Sequence, residues 1–520
     1  MTDRCGEPGE GRAVDPDRTW ISAILLVLLG AITLWGGVLR GRGLTDASLW
    51  LDEAVSVVHA QAILAHGIPR LTTGRISWDF FPMHYAMAGS LFLWPDVHGG
   101  SRLPSVLAGI ALIPTMFLLA LRVYRSRWSG VAAALTTAFL TIEIAWSRQA
   151  RGYALLQLMM AIGFLSALET GRSRWVRYGV PTLCSLIAVG LHRAGYMLPL
   201  LLSGLWLLRW ELDMSLARRV QGVVGGVLSA LLVLALTYFL PGNSSLLHTL
   251  HDLGTASMPG YACAYGGYLV EQLGGLFLCA LLVAPFVLVR DWRTGLPLIV
   301  AMTAYAYVLF FRNQLFAFRY LLPLVPFLIL LGAGFPAMVR DIAMHFTKKG
   351  RAVAGALGMM LWVLAMLSSS WTVLPKSEWL LDFTSPQPNW KDAYTLILQR
   401  DASCNPEPHS IRTVSALPLF HDIYLGQSAG EKGYLPISHT GISGDVQWVA
   451  PYSAAKPIRN ATDLVHSGGY ILLDDFGLRM LANPDLKQLL SMTKPNAVIP
   501  GPFPVYIWLC DSLAKQSDEP

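Results

Sequence analysis

The stretch FFPMHYAMAGSLFLW, residues 80–94, decides how this chain is threaded. It is apolar and helix-like, but its 15 residues fall short of the roughly 20 needed to cross about 30 Å of hydrocarbon. The runs around it are longer. WISAILLVLLGAITLWGGVL (20–39) comes first, and others follow at 103–121, 129–146, 153–169, 177–191, 194–208, 220–240, 267–289, 295–311, 320–339 and 352–374. The 520 residues are 54% hydrophobic and only 14% charged, where a soluble domain carries about a quarter charged residues. The chain therefore reads as a polytopic α-helical membrane protein. Residues 1–19 are polar and mixed in charge, unlike a secretory signal peptide.

Charge asymmetry settles the status of 80–94. If that stretch does not cross, the basic loops 122–128, 171–177, 209–219, 290–293 and 340–351 all face the side of the N-terminus. Cytoplasmic loops collect Lys and Arg, so that side is the cytoplasm. If 80–94 did cross, every basic loop from Arg122 onward would flip outward. The expectation is eleven spans, with a cytoplasmic tail (1–19), a membrane domain (20–374) and a first external loop (40–102) in which 80–94 is a surface helix. The net charge of +6 then belongs to the cytoplasmic loops and calls for no nucleic acid.

After Leu374 the composition shifts to Pro, Asn, Asp and Lys. Strand-like IRTVSAL (411–417), GYILLDD (469–475) and VYIWLC (505–510) alternate with helix-like NWKDAYTLILQRD (389–401) and PDLKQLLSM (484–492). Residues 375–520 read as an extracytoplasmic α/β domain. Cys184 and Cys279, in apolar runs, read as small buried hydrophobes. A disulfide between Cys404 and Cys510 stays open for an extracytoplasmic domain.

The outer face then collects unusual residues: Asp52, Glu53, His59, His66, Asp79 and His84 from the first loop, with Arg148, Arg151, His192, Arg193, Arg312 and Arg319 from later ones. Acids beside a membrane need a partner or water. Asp52 and Glu53 could cap the helix that follows, or Asp52 could act as general base for a hydroxyl. Arg148 and Arg151, spaced i and i+3, share one face if the segment is helical. They either snorkel to the interface or bind an anion such as phosphate bidentately, and Arg319 repeats that choice. His84 is either an interfacial histidine or an aid to an acceptor. The spacing of Asp79, His59 and His66 has no recognised metal signature, so no metal site is assigned, although a divalent metal stays possible. An outward site has no access to cytoplasmic nucleotide sugars. A lipid-linked phosphate donor fits it, with arginines stabilising the departing phosphate.

WLDEA (50–54), FPMHY (81–85) followed by SRLPSVLAGI (101–110), SRQARGYAL (147–155) and RYLLPLVPF (319–327) together resemble the GT-C glycosyltransferases, among them the lipid A aminoarabinose transferases and protein O-mannosyltransferases. The resemblance implies the GT-C fold and transfer of a sugar, with inversion, from a polyprenyl-phosphate carrier to a hydroxyl of a lipid, polysaccharide or protein acceptor, outside an inner membrane. It implies a catalytic pair, Asp52 as the acceptor-activating acid and Glu53 as its acidic neighbour. Arg148, Arg151 and Arg319 would contact carrier phosphate; beside the resemblance, the residues themselves offer His84, Tyr153, His192 and Arg193 as further candidates for the substrate site. The chain departs from the pattern at FPMHY, where the family often has a double proline before Leu-Tyr. A transporter or flippase of lipid-linked glycans is the alternative. It should carry ionisable residues at mid-membrane or repeated broken helices, whereas the charges here gather at the outer rim.

Overall fold

A computed structural model describes residues 16–208 apart from 72, 75, 79 and 170–172, and residues 261–374 apart from 313–316 and 347–349. In the C-terminal region it describes 388–404, 411–425, 432–435, 455–464 apart from 461, 469–501 apart from 480, and 503–510. The expected span 220–240 and Asp79 lie outside these residues, as do the side chains of Arg312 and Cys404.

The chain opens with α1 (Pro16–Gly41), α2 (Leu51–His66), α3 (Phe81–Leu93), α4 (Gly99–Tyr124), α5 (Arg127–Phe139), α6 (Thr141–Ser147), α7 (Tyr153–Ala167), α8 (Val180–Leu191) and α9 (Met197–Leu208). Then come α10 (Tyr261–Arg290), α11 (Trp292–Tyr307), a 3₁₀ turn (Phe318–Leu324), α12 (Val325–Gly332), α13 (Phe335–Phe346) and α14 (Arg351–Met366). Among the described residues, five helical segments are long and apolar enough to cross a membrane: Ala23–Gly41, Gly99–Tyr124, Ala262–Arg290, Trp292–Phe311 and Phe318–Phe346. Four shorter apolar helical stretches, Tyr153–Ala167, Trp175–Leu191, Arg193–Leu208 and Ala352–Met366, accompany them. The apolar side chains turned outward on these helices, such as Leu26, Leu34 and Val289, suit hydrocarbon rather than water. Inside, small residues let backbones approach closely. A Cβ on Gly275 of α10 would collide with the Ala365 carbonyl of α14.

Two expectations change in detail. The run 129–146 is broken at Leu140 into α5 and α6. The chain after α14 satisfies the freed backbone, as apolar surroundings require: Thr141 N donates to Ser370 O at 3.1 Å, and Thr372 N to Phe139 O at 2.9 Å. The run 352–374 is helical only to Met366, because its final residues turn to make this pairing. Residues 80–94 form the short α3, a helix of 13 residues.

The C-terminal region adds α15 (Trp390–Cys404), β1 (Thr413–Ser415), α16 (Leu419–Tyr424), β2 (Lys432–Tyr434), β3 (Lys456–Pro457), β4 (Tyr470–Asp474), α17 (Asp475–Arg479), α18 (Pro484–Met492), β5 (Ala497–Ile499) and β6 (Val505–Leu509). Its sheet has the order β3-β2-β1-β4-β6-β5. The first four strands are parallel and β6 runs antiparallel to both β4 and β5. The expected α/β character is therefore present. Val414, Ile471, Leu472 and Trp508 are buried, and α16 packs on α2.

Candidate active site

The site begins where the chain leaves α1, turns through residues 43–50 and enters α2. Glu53 sits in the first turn of α2 and is fully buried. Its Oε1 accepts from Arg102 Nε at 2.9 Å and from Ala150 N at 2.7 Å. Its Oε2 accepts from Arg102 Nη2 at 2.9 Å and from Trp50 N at 3.3 Å. Arg102 also donates to the carbonyls of Leu44, Ala47 and Ser48. A buried charge is tolerable only when paired and hydrogen-bonded like this. Each oxygen of Glu53 thus already accepts two hydrogen bonds, which makes it an ion-paired structural acid and leaves the catalytic part of the acidic pair to Asp52.

Asp52 has the other fate. Its side chain keeps 27% exposure, and its Oδ2 lies 3.6 Å from Arg151 Nη2 and 3.6 Å from Arg319 Nη2. Arg151 is held by α2 itself, donating to Asp52 O at 3.1 Å and to Ser56 Oγ at 3.0 Å. Its guanidinium lies 5.2 Å from the Phe80 ring centroid. Arg319 lies over Trp50 at 5.4 Å and over Tyr320 at 5.3 Å. These three charges leave one net positive charge beside a small hollow of about 10 Å³ lined by Ser56, Phe80, Met83, Arg151, Gly152, Tyr153, Leu191 and His192.

The other expected residues divide. Tyr153 is buried and stacks edge-on against Trp146, and His192 lies 5.2 Å from its ring. Burial first, then Arg151, Arg193 and Arg319, pushes His192 down to about 3, so it is neutral at neutral pH. Its Nδ1 accepts from Ala194 N at 3.1 Å. His84 is buried in α3, with its ring stacked 4.6 Å from that of His59. Burial, and then the charges of His59 and Arg151, hold His84 well below the ordinary histidine value. Arg193 is exposed and acts on the site by its charge on His192.

The pairing of Arg148 with Arg151 on one helix face is corrected. α6 ends at Ser147, and Arg151 N closes a turn onto Gln149 O at 2.7 Å. Arg148 therefore points away, donating to Gly43 O at 3.2 Å. Burial, and then the positive Arg102, lower Arg148 to about 10. Among the described residues no three of His, Cys, Asp and Glu gather as a metal would need.

Sequence reasoning missed several participants. Arg102 stands in the quoted SRLPSVLAGI, but its partner Glu53 is 49 residues away. Phe80 takes a left-handed conformation, φ 55°, which costs a non-glycine residue about 1–2 kcal/mol and marks a constrained position. Charges also occur inside the helical region, against the reading that they gather only at the rim. Arg40 donates to Gly36 O, Thr137 O and Ala138 O. Buried Glu143 accepts from Gln157 Nε2 at 2.8 Å.

No protein-family model matches the sequence, and no curated protein matches it. Solved structures do. ArnT from Cupriavidus metallidurans in the apo state superposes with a TM-score of 0.57 at 12% identity, over 96% of this chain and 99% of that one. The same protein bound to undecaprenyl phosphate gives 0.55 at 14% identity, over 95% and 98%. The oligosaccharyltransferase AglB from Archaeoglobus fulgidus, in complex with an inhibitory peptide and a dolichol-phosphate, gives 0.53 at 12% identity, over 88% and 70%. These relatives are GT-C glycosyltransferases, and at such identities the likeness speaks for architecture alone. The superposition runs along nearly the whole chain: this protein is built on the GT-C fold.

Proposed function

We propose that this chain is an integral-membrane glycosyltransferase that moves a sugar from a polyprenyl-phosphate carrier to an acceptor hydroxyl on the extracytoplasmic face of the inner membrane. The observation that carries the proposal is the meeting of one carboxylate with two guanidinium groups. Asp52, Arg151 and Arg319 come from three distant segments and meet within 3.6 Å. Undecaprenyl phosphate and dolichol-phosphate in two of the superposed structures support a lipid carrier.

In this reading the carrier phosphate draws Arg151 and Arg319 toward itself, and the carboxylate of Asp52 is released. The acceptor oxygen attacks the anomeric carbon while Asp52 takes its proton. The carbon–oxygen bond to the phosphate breaks, and the phosphate leaves as an anion stabilised by the two arginines. One displacement inverts the anomeric centre. Tyr153, neutral His192 and Phe80 line the hollow as its apolar walls. His84 acts from behind them through its contact with Phe80, and Arg193 through its charge. Arg148 serves the turn around Gly43 rather than the phosphate.

The threading proposed with this chemistry has eleven spans, a cytoplasmic tail 1–19, a membrane domain 20–374 and an extracytoplasmic domain 375–520. The basic loops favour that orientation. A flippase of lipid-linked glycans is the second reading, and buried Arg40 and Glu143 are the observation on its side. Both are engaged, with backbone carbonyls and with Gln157, which suits a structural network better than a transport path.

The test supplies a panel of radiolabelled polyprenyl-phosphate sugars to the purified wild type and to Asp52→Asn. Transfer by the wild type alone supports the proposal. Equal transfer by both, or carrier translocation with the sugar–phosphate bond intact, defeats it.

A further inference from the structure

The turn that delivers Asp52 contains Leu44, Thr45, Ala47 and Ser48, and side chains from elsewhere hold the carbonyls of all four. From within the helical region, Arg102 Nη1 donates to Leu44 O and to Ala47 O at 2.8 Å each, and Nη2 donates to Ser48 O at 3.0 Å. From the C-terminal region, Lys391 Nζ donates to Thr45 O at 3.1 Å. Two further contacts converge on Ser48: Lys391 N donates to its Oγ at 3.3 Å, and the Tyr424 hydroxyl lies 3.4 Å from the same oxygen. The Tyr424 hydroxyl also pairs with His98 Nε2 at 3.1 Å, four residues before Arg102.

The groups that reach down are themselves rigidly set. Trp390 stacks on Phe420 at 4.9 Å, and Tyr424 stacks on Tyr394 at 5.2 Å and on Phe420 at 6.3 Å. This aromatic column ties α15 to α16, so Lys391 and Tyr424 arrive as one unit. Arg102 grips the turn from one side and this unit from the other. Asp52 follows within four residues of Ser48.

We propose that the C-terminal domain clamps the Asp52-bearing turn, with Lys391 and Tyr424 as positioning residues for the acid. The proposal rests on the reading of Asp52 as the base. It gives the domain a part in the chemistry without placing any of its groups on substrate. Losing the clamp leaves Arg151 and Arg319 in place for the carrier phosphate but lets the carboxylate wander. A misplacement of about 1 Å costs up to about a hundredfold in rate.

The experiment uses the full chain in lipid nanodiscs and compares the wild type with Tyr424→Phe, Lys391→Met and Lys391→Arg. Phenylalanine keeps the aromatic stack, and arginine keeps a donor for Thr45 O. Transfer kinetics with the polyprenyl-phosphate sugar active in the panel should show kcat falling about tenfold or more in Tyr424→Phe and Lys391→Met. Donor KM should stay within about twofold, and Lys391→Arg should recover most of the rate. Hydrogen exchange of the amides 45–53 should quicken in the two impaired variants and not in Lys391→Arg. Unchanged exchange overturns the clamp whether or not any donor is active. Quickened exchange with unchanged kcat overturns the positioning role. A wild type that transfers no sugar sinks the glycosyltransferase reading, and the exchange result then decides the clamp alone.

Discussion

Replacing Asp52 by Asn should move two kinetic constants by separate routes. The substitution keeps the shape and removes the proton acceptor. Loss of a positioned general base costs roughly 10²–10⁴ in rate, and that loss belongs in kcat. The same change removes a negative charge that lies 3.6 Å from both guanidinium groups. A carrier phosphate held on the far side of those groups would sit about 7 Å from the carboxylate, a repulsion of about 2 kcal/mol at an effective dielectric constant near 20. Asp52 keeps 27% exposure, so solvent screening brings this to about 1 kcal/mol, or about fivefold in affinity. Donor KM should therefore fall by about that factor while kcat collapses. Steady-state transfer with the active donor, repeated at low and high salt, measures both, and the KM effect should shrink as salt rises. A variant whose kcat stays within about tenfold of wild type refutes the base assignment. A donor KM that rises refutes the placement of phosphate against Arg151 and Arg319.

Arg319→Gln should raise donor KM by roughly tenfold to a hundredfold, the worth of one charge-assisted hydrogen bond of about 1.5–3 kcal/mol, and donor titration checks it. Glu53→Gln should cost stability rather than chemistry alone. It leaves the buried Arg102 guanidinium without its carboxylate, a loss of about 3–5 kcal/mol, read as a lower melting temperature in detergent. His192 stays neutral in the folded protein down to about pH 3, where an ordinary histidine protonates near 6.5. Its folded-state value is depressed, so the unfolded chain takes up the proton first as pH falls. The stability it contributes is present above about 6.5 and is lost progressively down to about 3. His192→Phe should flatten the acid side of the melting profile over that window, and an unaltered slope would remove the histidine from the account.

The charge pattern of the sequence put Asp52, Arg151 and Arg319 on one expected face, and in the fold the acid lies 3.6 Å from each arginine. It was not enough to separate Arg148 from Arg151. Their i, i+3 spacing is informative only inside a helix, and α6 stops at Ser147. Leu140 looked equally helical. Its break depends on a pairing with residues 370–372 that local propensity does not encode. The Glu53–Arg102 pair joins positions 49 residues apart. Only the packed fold reveals that the more buried of the two acids is the committed one. The C-terminal domain was legible as α/β from its alternating runs, but nothing in NWKDAY announces that Lys391 holds the Thr45 carbonyl.

Why two acids stand side by side at the start of α2 now has a physical answer. Consecutive helical residues point about 100° apart, so one helix turn can send one carboxylate inward and the next outward. The inward one, Glu53, bridges three pieces of backbone: the start of α2 through Trp50 N, the turn after α6 through Ala150 N, and α4 through Arg102. Arg151 follows Ala150 directly and reaches back to Asp52 O and Ser56 Oγ. The acid next door thus ties the backbone of Asp52 to that of Arg151. Under the proposed mechanism a single acid could not do both jobs. Burial saturates the first with donors, and a base needs an open lone pair and access to a hydroxyl. Exchanging the pair, Asp52→Glu with Glu53→Asp, should therefore fail on both counts. At position 53 the side chain becomes one methylene shorter, and its carboxylate falls short of Arg102 and Ala150 N. At position 52 it becomes one methylene longer and carries its carboxylate past the arginines. Melting temperature and kcat should both drop, and retention of either would show that the two roles are not divided as described.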